Sequence, residues 1–217
     1  MAERPAGSAG APRIHRMLTR HSLRLAIVAL PLVALLPSTA HADRIVTRDP
    51  AGDALVTSEV DGVEQSAVAA DHRTVDIVRT VVVHDAEVVR VRTQFRRLAS
   101  DPLVFIGARL KLPKGKVDVL VEHLGGTPIV SGTAGGGREL DCPGLEARVQ
   151  RTTRSITLSV PTSCLRDPRW VRVGVVAFGG DLDQEDSTTD GIYSDDAHRD
   201  GTFDADKPAL GPRVRRG

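Results

Sequence analysis

From Val89 to Arg96 the side chains alternate strictly, with Val89, Val91, Thr93 and Phe95 set against Arg90, Arg92, Gln94 and Arg96. A period of two puts each set on its own face of an extended strand, so this segment reads as half-buried antiparallel sheet. Residues Val75 to Val83, joined through His84-Asp85-Ala86-Glu87, form its predicted hairpin partner. The pattern recurs at Val104 to Leu112, at Val117, Val119 and Val121, at Leu145, Ala147 and Val149, and at Ile156, Leu158 and Val160. Trp170 to Phe178 is apolar on both faces apart from Arg172, the mark of a central strand. Lys114-Gly115, Gly125-Gly126, Gly135-Gly136-Gly137, Pro143-Gly144 and Gly179-Gly180 punctuate the turns, and Pro161 to Pro168 has room for one short helical turn. No helical stripe competes. The predicted fold is all-β, an antiparallel two-sheet β-sandwich of jelly-roll or immunoglobulin-like type.

Before the alternating region, residues 17–42 have the anatomy of a cleavable export signal: a basic stretch, an apolar run from Leu25 to Leu36, then Ala40-His41-Ala42. The run is broken by Pro31 and is too short for the roughly 20 residues a membrane span requires. A start at Met17 brings the signal to 26 residues, and the general secretory route is favoured because Arg20-His21 lacks the second arginine of a twin-arginine signal. The expected organisation is a signal over 1–42, a sandwich over 43–180 and an acidic, loop-rich segment over 181–217. Secretion and no membrane span after processing are the corresponding expectations.

Removing residues 1–42 takes away five of the 29 basic and one of the 28 acidic residues, leaving 24 against 27 and a net charge of −3. That balance argues against a nucleic-acid partner. Twenty-five arginines against four lysines, with no asparagine, match a GC-rich bacterial coding sequence and leave no N-glycosylation sequon. The two cysteines, Cys142 and Cys164, stand 22 residues apart and are expected to pair as a disulfide in an oxidising compartment. They have neither the C-x-x-C spacing of a redox pair nor companions for a zinc site.

Between Asp181 and Asp206 the chain holds nine Asp, one Glu and one Arg. Two accounts fit this run: a solvated, mobile acidic tail, or a calcium-binding segment with Asp181, Asp183, Glu185 and Asp190 as ligands. An EF-hand is not among them, because Asp186 and Ile192 stand where that loop needs Gly and Glu. A second acidic group, Asp49 and Asp53 around the turn Asp49-Pro50-Ala51-Gly52 with Asp71 and Asp76, converges only if the fold brings it together. No Gly-x-Ser-x-Gly elbow or His-Glu-x-x-His motif appears, and no catalytic residue is assigned. Of His72, His84, His123 and His198, His123 falls at an inward strand position and His198, amid acidic residues, most resembles a metal ligand. Arg90, Arg92 and Arg96 make a basic stripe, read either as a solvated strand face or as a grip on an anionic envelope polymer.

The order of export signal, Asp49-x-x-Gly52-Asp53, Val75-Asp76-Ile77, hairpin, and Val160-Pro161-x-x-Cys164-Leu165-x-x-Pro168-x-Trp170-Val171-Arg172-Val173 resembles uncharacterised secreted β-sandwich proteins of GC-rich Gram-positive bacteria. More distantly it is similar to DOMON-like and family-9-type carbohydrate-binding sandwiches, which open with an acidic turn followed by a paired strand. The aromatic pair that holds sugar in the latter and the Met/His haem ligands of the former have no counterpart here. The expected function is a secreted, non-catalytic binding or structural module for an extracellular ligand or envelope polymer. A calcium-stabilised carbohydrate-binding module is the alternative, and a secreted hydrolase with a carboxylate site the third.

Overall fold

The computed structural model describes residues 42–98, 103–180 and 191–217, all within the unit spanning residues 39–217. The expected metal ligands Asp181, Asp183, Glu185 and Asp190 lie outside the described residues. Numbered along the chain, β1 (Asp43–Arg48), β4 (Ile77–His84), β5 (Val88–Phe95), β11 (Ser155–Pro161) and β10 (Glu146–Gln150) form the first sheet, in that order. The second runs β3 (Val63–Val68), β2 (Leu55–Val60), β13 (Ile192–Asp196), β12 (Trp170–Gly180), β6 (Leu103–Lys111), β7 (Lys116–Leu124), β8 (Ile129–Ala134) and β9 (Arg138–Glu139). A last strand, β14 (Arg213–Arg215), pairs with β12. Every pairing is antiparallel, as the alternation predicts.

The inward positions of the two sheets supply the core. Val89, Val91 and Phe95 of β5, Ile77 and Val82 of β4, and Ile156, Leu158 and Val160 of β11 are buried beside Val104, Ile106 and Leu110 of β6 and Val171, Val173 and Val175 of β12. β12 is central, with β6 along one edge and β13 followed by β14 along the other. Its two-sided apolarity has a cause on the outer face. Between β13 and β14 the chain leaves the β12 edge after Ala197, whose N–H donates to the Val175 carbonyl, and returns at Gly211, bonded to Val173. Arg172 donates to the carbonyls of Leu210 and Gly211, and Arg109 to that of Asp206. A Cβ on Gly174 would stand 2.6 Å from the Ala209 oxygen, so the excursion lies directly on β12.

The composition of 181–217 sets it apart from the sandwich, yet its residues 192–196 and 213–215 complete the second sheet. The alternation signal fails there because Asp195 and Asp196 sit in buried positions that a pattern search reserves for apolar side chains. β1, β2, β3, β8 and β9 likewise lack the apolar density of the strands that the sequence marks. No helix among the described residues is long and apolar enough to cross a membrane.

Cys142 and Cys164 form a disulfide. It joins the segment before β10, an edge strand, to the 3-10 turn Thr162–Leu165 that follows β11. The bond therefore holds both ends of the β10–β11 hairpin. In the chain-entropy account a loop of this size contributes about 3 kcal/mol. Replacing both cysteines with serine is expected to lower unfolding free energy by about 3 kcal/mol in denaturant titration, and an unchanged midpoint would contradict this.

Candidate metal centre

Asp49 follows β1 directly, and Pro50-Ala51-Gly52 turns the chain towards β2. Gly52 has φ of +89°, a left-handed conformation suited to glycine, and its N–H donates to Asp76 Oδ2 at 2.8 Å. That bond latches the turn to the residue preceding β4. Arg96, just past β5, donates to the same Asp76 oxygen at 3.0 Å and to the Ala70 carbonyl at 2.8 Å. From the other sheet, Asp195 on β13 accepts the N–H of Ile77 through Oδ2 at 2.7 Å.

These bonds gather carboxylates from four places in the chain. One oxygen each from Asp53, Asp76 and Asp195 lie within 4.8 Å of one another, and so do one each from Asp49, Asp53 and Asp200. Asp53 is common to both groups. Asp76 is wholly buried and Asp195 is 3% exposed. Asp76 Oδ1, Asp49 Oδ2 and both oxygens of Asp53 are buried with no hydrogen-bond partner. Buried carboxylate oxygens are ordinarily satisfied, so four orphaned oxygens in one cluster call for a partner of positive charge.

Among the described residues, Arg96 makes the one ion pair to these five carboxylates, at Asp76. Two ionised carboxylates with oxygens 4.8 Å apart repel by about 3 kcal/mol at an effective dielectric near 20. Burial, followed by the charges of Asp195 and Asp53, raises the Asp49 carboxyl to about 9. Burial also pushes Asp195 up to about 7, with Asp53 and Asp76 adding to it against the bond from Ile77. Asp53 rises for the same leading reason. The group without a cation thus holds protons at neutral pH. Its donors are carboxylate oxygens without imidazole or thiolate, a set that suits a hard cation such as calcium.

Asp49, Asp53 and Asp76, one of the two acidic groups marked in the sequence, do converge, and two residues of the acidic segment, Asp195 and Asp200, join them. Asp71 is exposed and belongs to neither group. Asp196, next to Asp195 but on the opposite face, accepts the N–H groups of Ala209 at 2.9 Å and His198 at 3.2 Å, so it anchors the excursion. His198 is absent from both groups and packs against Gly211, where burial lowers its pKa. His123 is buried on β7 as its inward position predicts. His72 stacks on Tyr193 with ring centroids 3.7 Å apart, and His84 faces the Val214 carbonyl. Arg96 leaves the predicted stripe with Arg90 and Arg92, because β5 ends at Phe95 and the next side chain turns to Asp76. Nothing in the linear spacing marks Asp195 and Asp200; their membership follows from β13 lying beside β2.

No family model, curated protein or solved structure matches this chain.

The raised carboxyls fix a pH dependence. Above the unfolded value of 3.8 the unfolded chain has released protons that the folded, chelator-treated protein still holds on Asp49 and Asp195, so stability falls as pH rises towards 9. Melting temperature in chelator is expected to decline from pH 7 to pH 9, above the range in which the buried His84 and His198 oppose it, with Asp49→Asn flattening the decline. A level or rising profile would contradict the assignment.

Proposed function

We propose that this protein is an exported, non-catalytic binding module whose sandwich is completed by a calcium ion held by Asp53, Asp76 and Asp195, with Asp49 and Asp200 closing the site. The observation that carries the reading is Asp76: fully buried, with Oδ2 fixed by Gly52 and Arg96, Oδ1 orphaned, and one of its oxygens within 4.8 Å of oxygens from Asp53 and Asp195. Calcium binds oxygens at about 2.3–2.6 Å, so its coordination sphere is about 5 Å across. Three oxygens mutually within 4.8 Å fit around it. The export signal and the disulfide support an extracellular setting, where calcium is abundant enough for a site of modest affinity.

Sugar binding has less support. Phe105 and Phe178 stack on each other at 5.2 Å with Phe203 edge-on to Phe178, and the Trp170 ring is covered by Arg213 at 4.2 Å. Phe95 is buried in the core. These aromatic faces are already in contact with the protein itself, so stacking platforms for a sugar are scarce.

Thermal unfolding in calcium against chelator tests the proposal, with magnesium at equal ionic strength as the control for screening. At a hundredfold excess over the dissociation constant, calcium is expected to add about 2.7 kcal/mol, a rise of about 5–10 °C for a domain of this size. Asp53→Asn should abolish that increment and at the same time raise the melting temperature in chelator, because it removes a repelling charge. Equal curves in calcium and magnesium, or destabilisation of Asp53→Asn in chelator with the calcium increment intact, would overturn it.

A further inference from the structure

The register of the first sheet sets six arginines on its outer face. Arg44 lies opposite Val83, which lies opposite Arg90; Val46 is followed across by Val81 and Arg92; and Arg48 faces Arg79, which faces Gln94. Arg148 on β10 joins them beside Thr157. Asp85 pairs with Arg90 at 2.7 Å and Glu146 with Arg148 at 3.2 Å. Arg44, Arg48, Arg79 and Arg92 have no carboxylate partner among the described residues.

Protection against edge-to-edge pairing accounts for charge on β1 and β10, the two edges of this sheet. It does not account for Arg79, Arg90 and Arg92, which stand on the interior strands β4 and β5. Nor does stability favour the arrangement. Arg48 and Arg79 are direct cross-strand partners, a like-charge placement that weakens a sheet. Arg44, Arg79, Arg90 and Arg92 surround a groove of about 270 Å³ with Val81 and Val83 also in its lining. The Nε of Arg79 is buried there without a hydrogen-bond partner.

We infer that this groove is a docking site for an extended phosphodiester polymer of polyol type. Guanidinium groups bind phosphate oxygens through paired, charge-assisted hydrogen bonds and are less strongly hydrated than ammonium groups. Four of them from three neighbouring strands around one groove exceed what a single two-oxygen anion takes up, so the groove suits a chain that presents its charges in succession; the two non-bridging oxygens of a phosphodiester stand on a tetrahedral centre between ester links and accept from guanidinium groups on different strands. The valines give the carbon backbone between phosphates an apolar surface. Successive cations along β5 lie about 7 Å apart on the same face, so the cationic surface is long enough to engage more than one phosphate. The site is separate from the acidic cluster and does not depend on calcium there.

The test is titration of the exported protein with poly(glycerol phosphate), with polygalacturonate and single-stranded DNA as comparators, repeated with and without calcium. Binding to the glycerol phosphate polymer is expected to weaken linearly in log salt. Arg79→Glu/Arg92→Glu should lower affinity roughly tenfold or more and reduce the salt slope by about 1 for each arginine removed. Lys114→Glu/Arg138→Glu, an equal change in charge at exposed positions away from the groove, should retain binding within about twofold. Arg79→Gln/Arg92→Gln serves if charge reversal disturbs folding, and must show the same ordering. Equal losses in the groove and control variants, tighter binding of polygalacturonate or DNA, or no binding of poly(glycerol phosphate) would each overturn the inference. None of these outcomes bears on the calcium increment, so the two proposals fail separately.

Discussion

The N–H of Ile77, where β4 begins in the first sheet, and the carboxylate of Asp195 on β13 of the second meet at 2.7 Å. Hydrophobic burial holds the sheet faces together without direction, whereas this bond fixes one sheet against the other at a definite point. The Asp49–Asp53 turn crosses between the sheets at the same place, because β1 belongs to the first and β2 to the second. Gly52 and Arg96 secure it through Asp76. The remainder of the acidic cluster is a consequence: a junction built from carboxylates gathers charge that Arg96 alone does not balance among the described residues.

That imbalance gives the junction its chemistry. Protons held on Asp49 and Asp195 lessen the charge of the group without cancelling it, and leave oxygens unsatisfied. In the proposed reading a calcium ion replaces them, so that the energetic defect of the bare fold becomes the source of its stability in an extracellular medium. The disulfide secures a different part of the molecule, the β10–β11 edge of the first sheet. One covalent tie and one ionic junction together restrain a sandwich whose longest edge hairpin, β2–β3, is largely exposed.

Strands β4, β5, β6, β7, β10, β11 and β12 are legible in the sequence because each carries apolar side chains at every second position. The disulfide is legible because the chain has two cysteines, without the C-x-x-C spacing of a redox pair or companions for a zinc site. The acidic turn at Asp49 and the stripe through Arg90 and Arg92 are also visible, but their meaning is not. Whether Asp76 meets Asp53 depends on the Gly52 latch, and whether Asp195 reaches them depends on a pairing between residues more than a hundred positions apart. Asp195 and Asp196 illustrate the limit: adjacent, identical and buried, they face opposite sides of one strand, one towards the cluster and the other towards Ala209. In the same way Arg96 reads as a third member of a stripe until the end of β5 turns it away.

A crystal structure of the protein grown in calcium, with anomalous scattering data collected at long wavelength, tests the central claim most directly. The account predicts a peak between Asp53, Asp76 and Asp195, with oxygens at about 2.3–2.6 Å. A structure without a peak there, or with calcium bound only by residues 181–190, would contradict it.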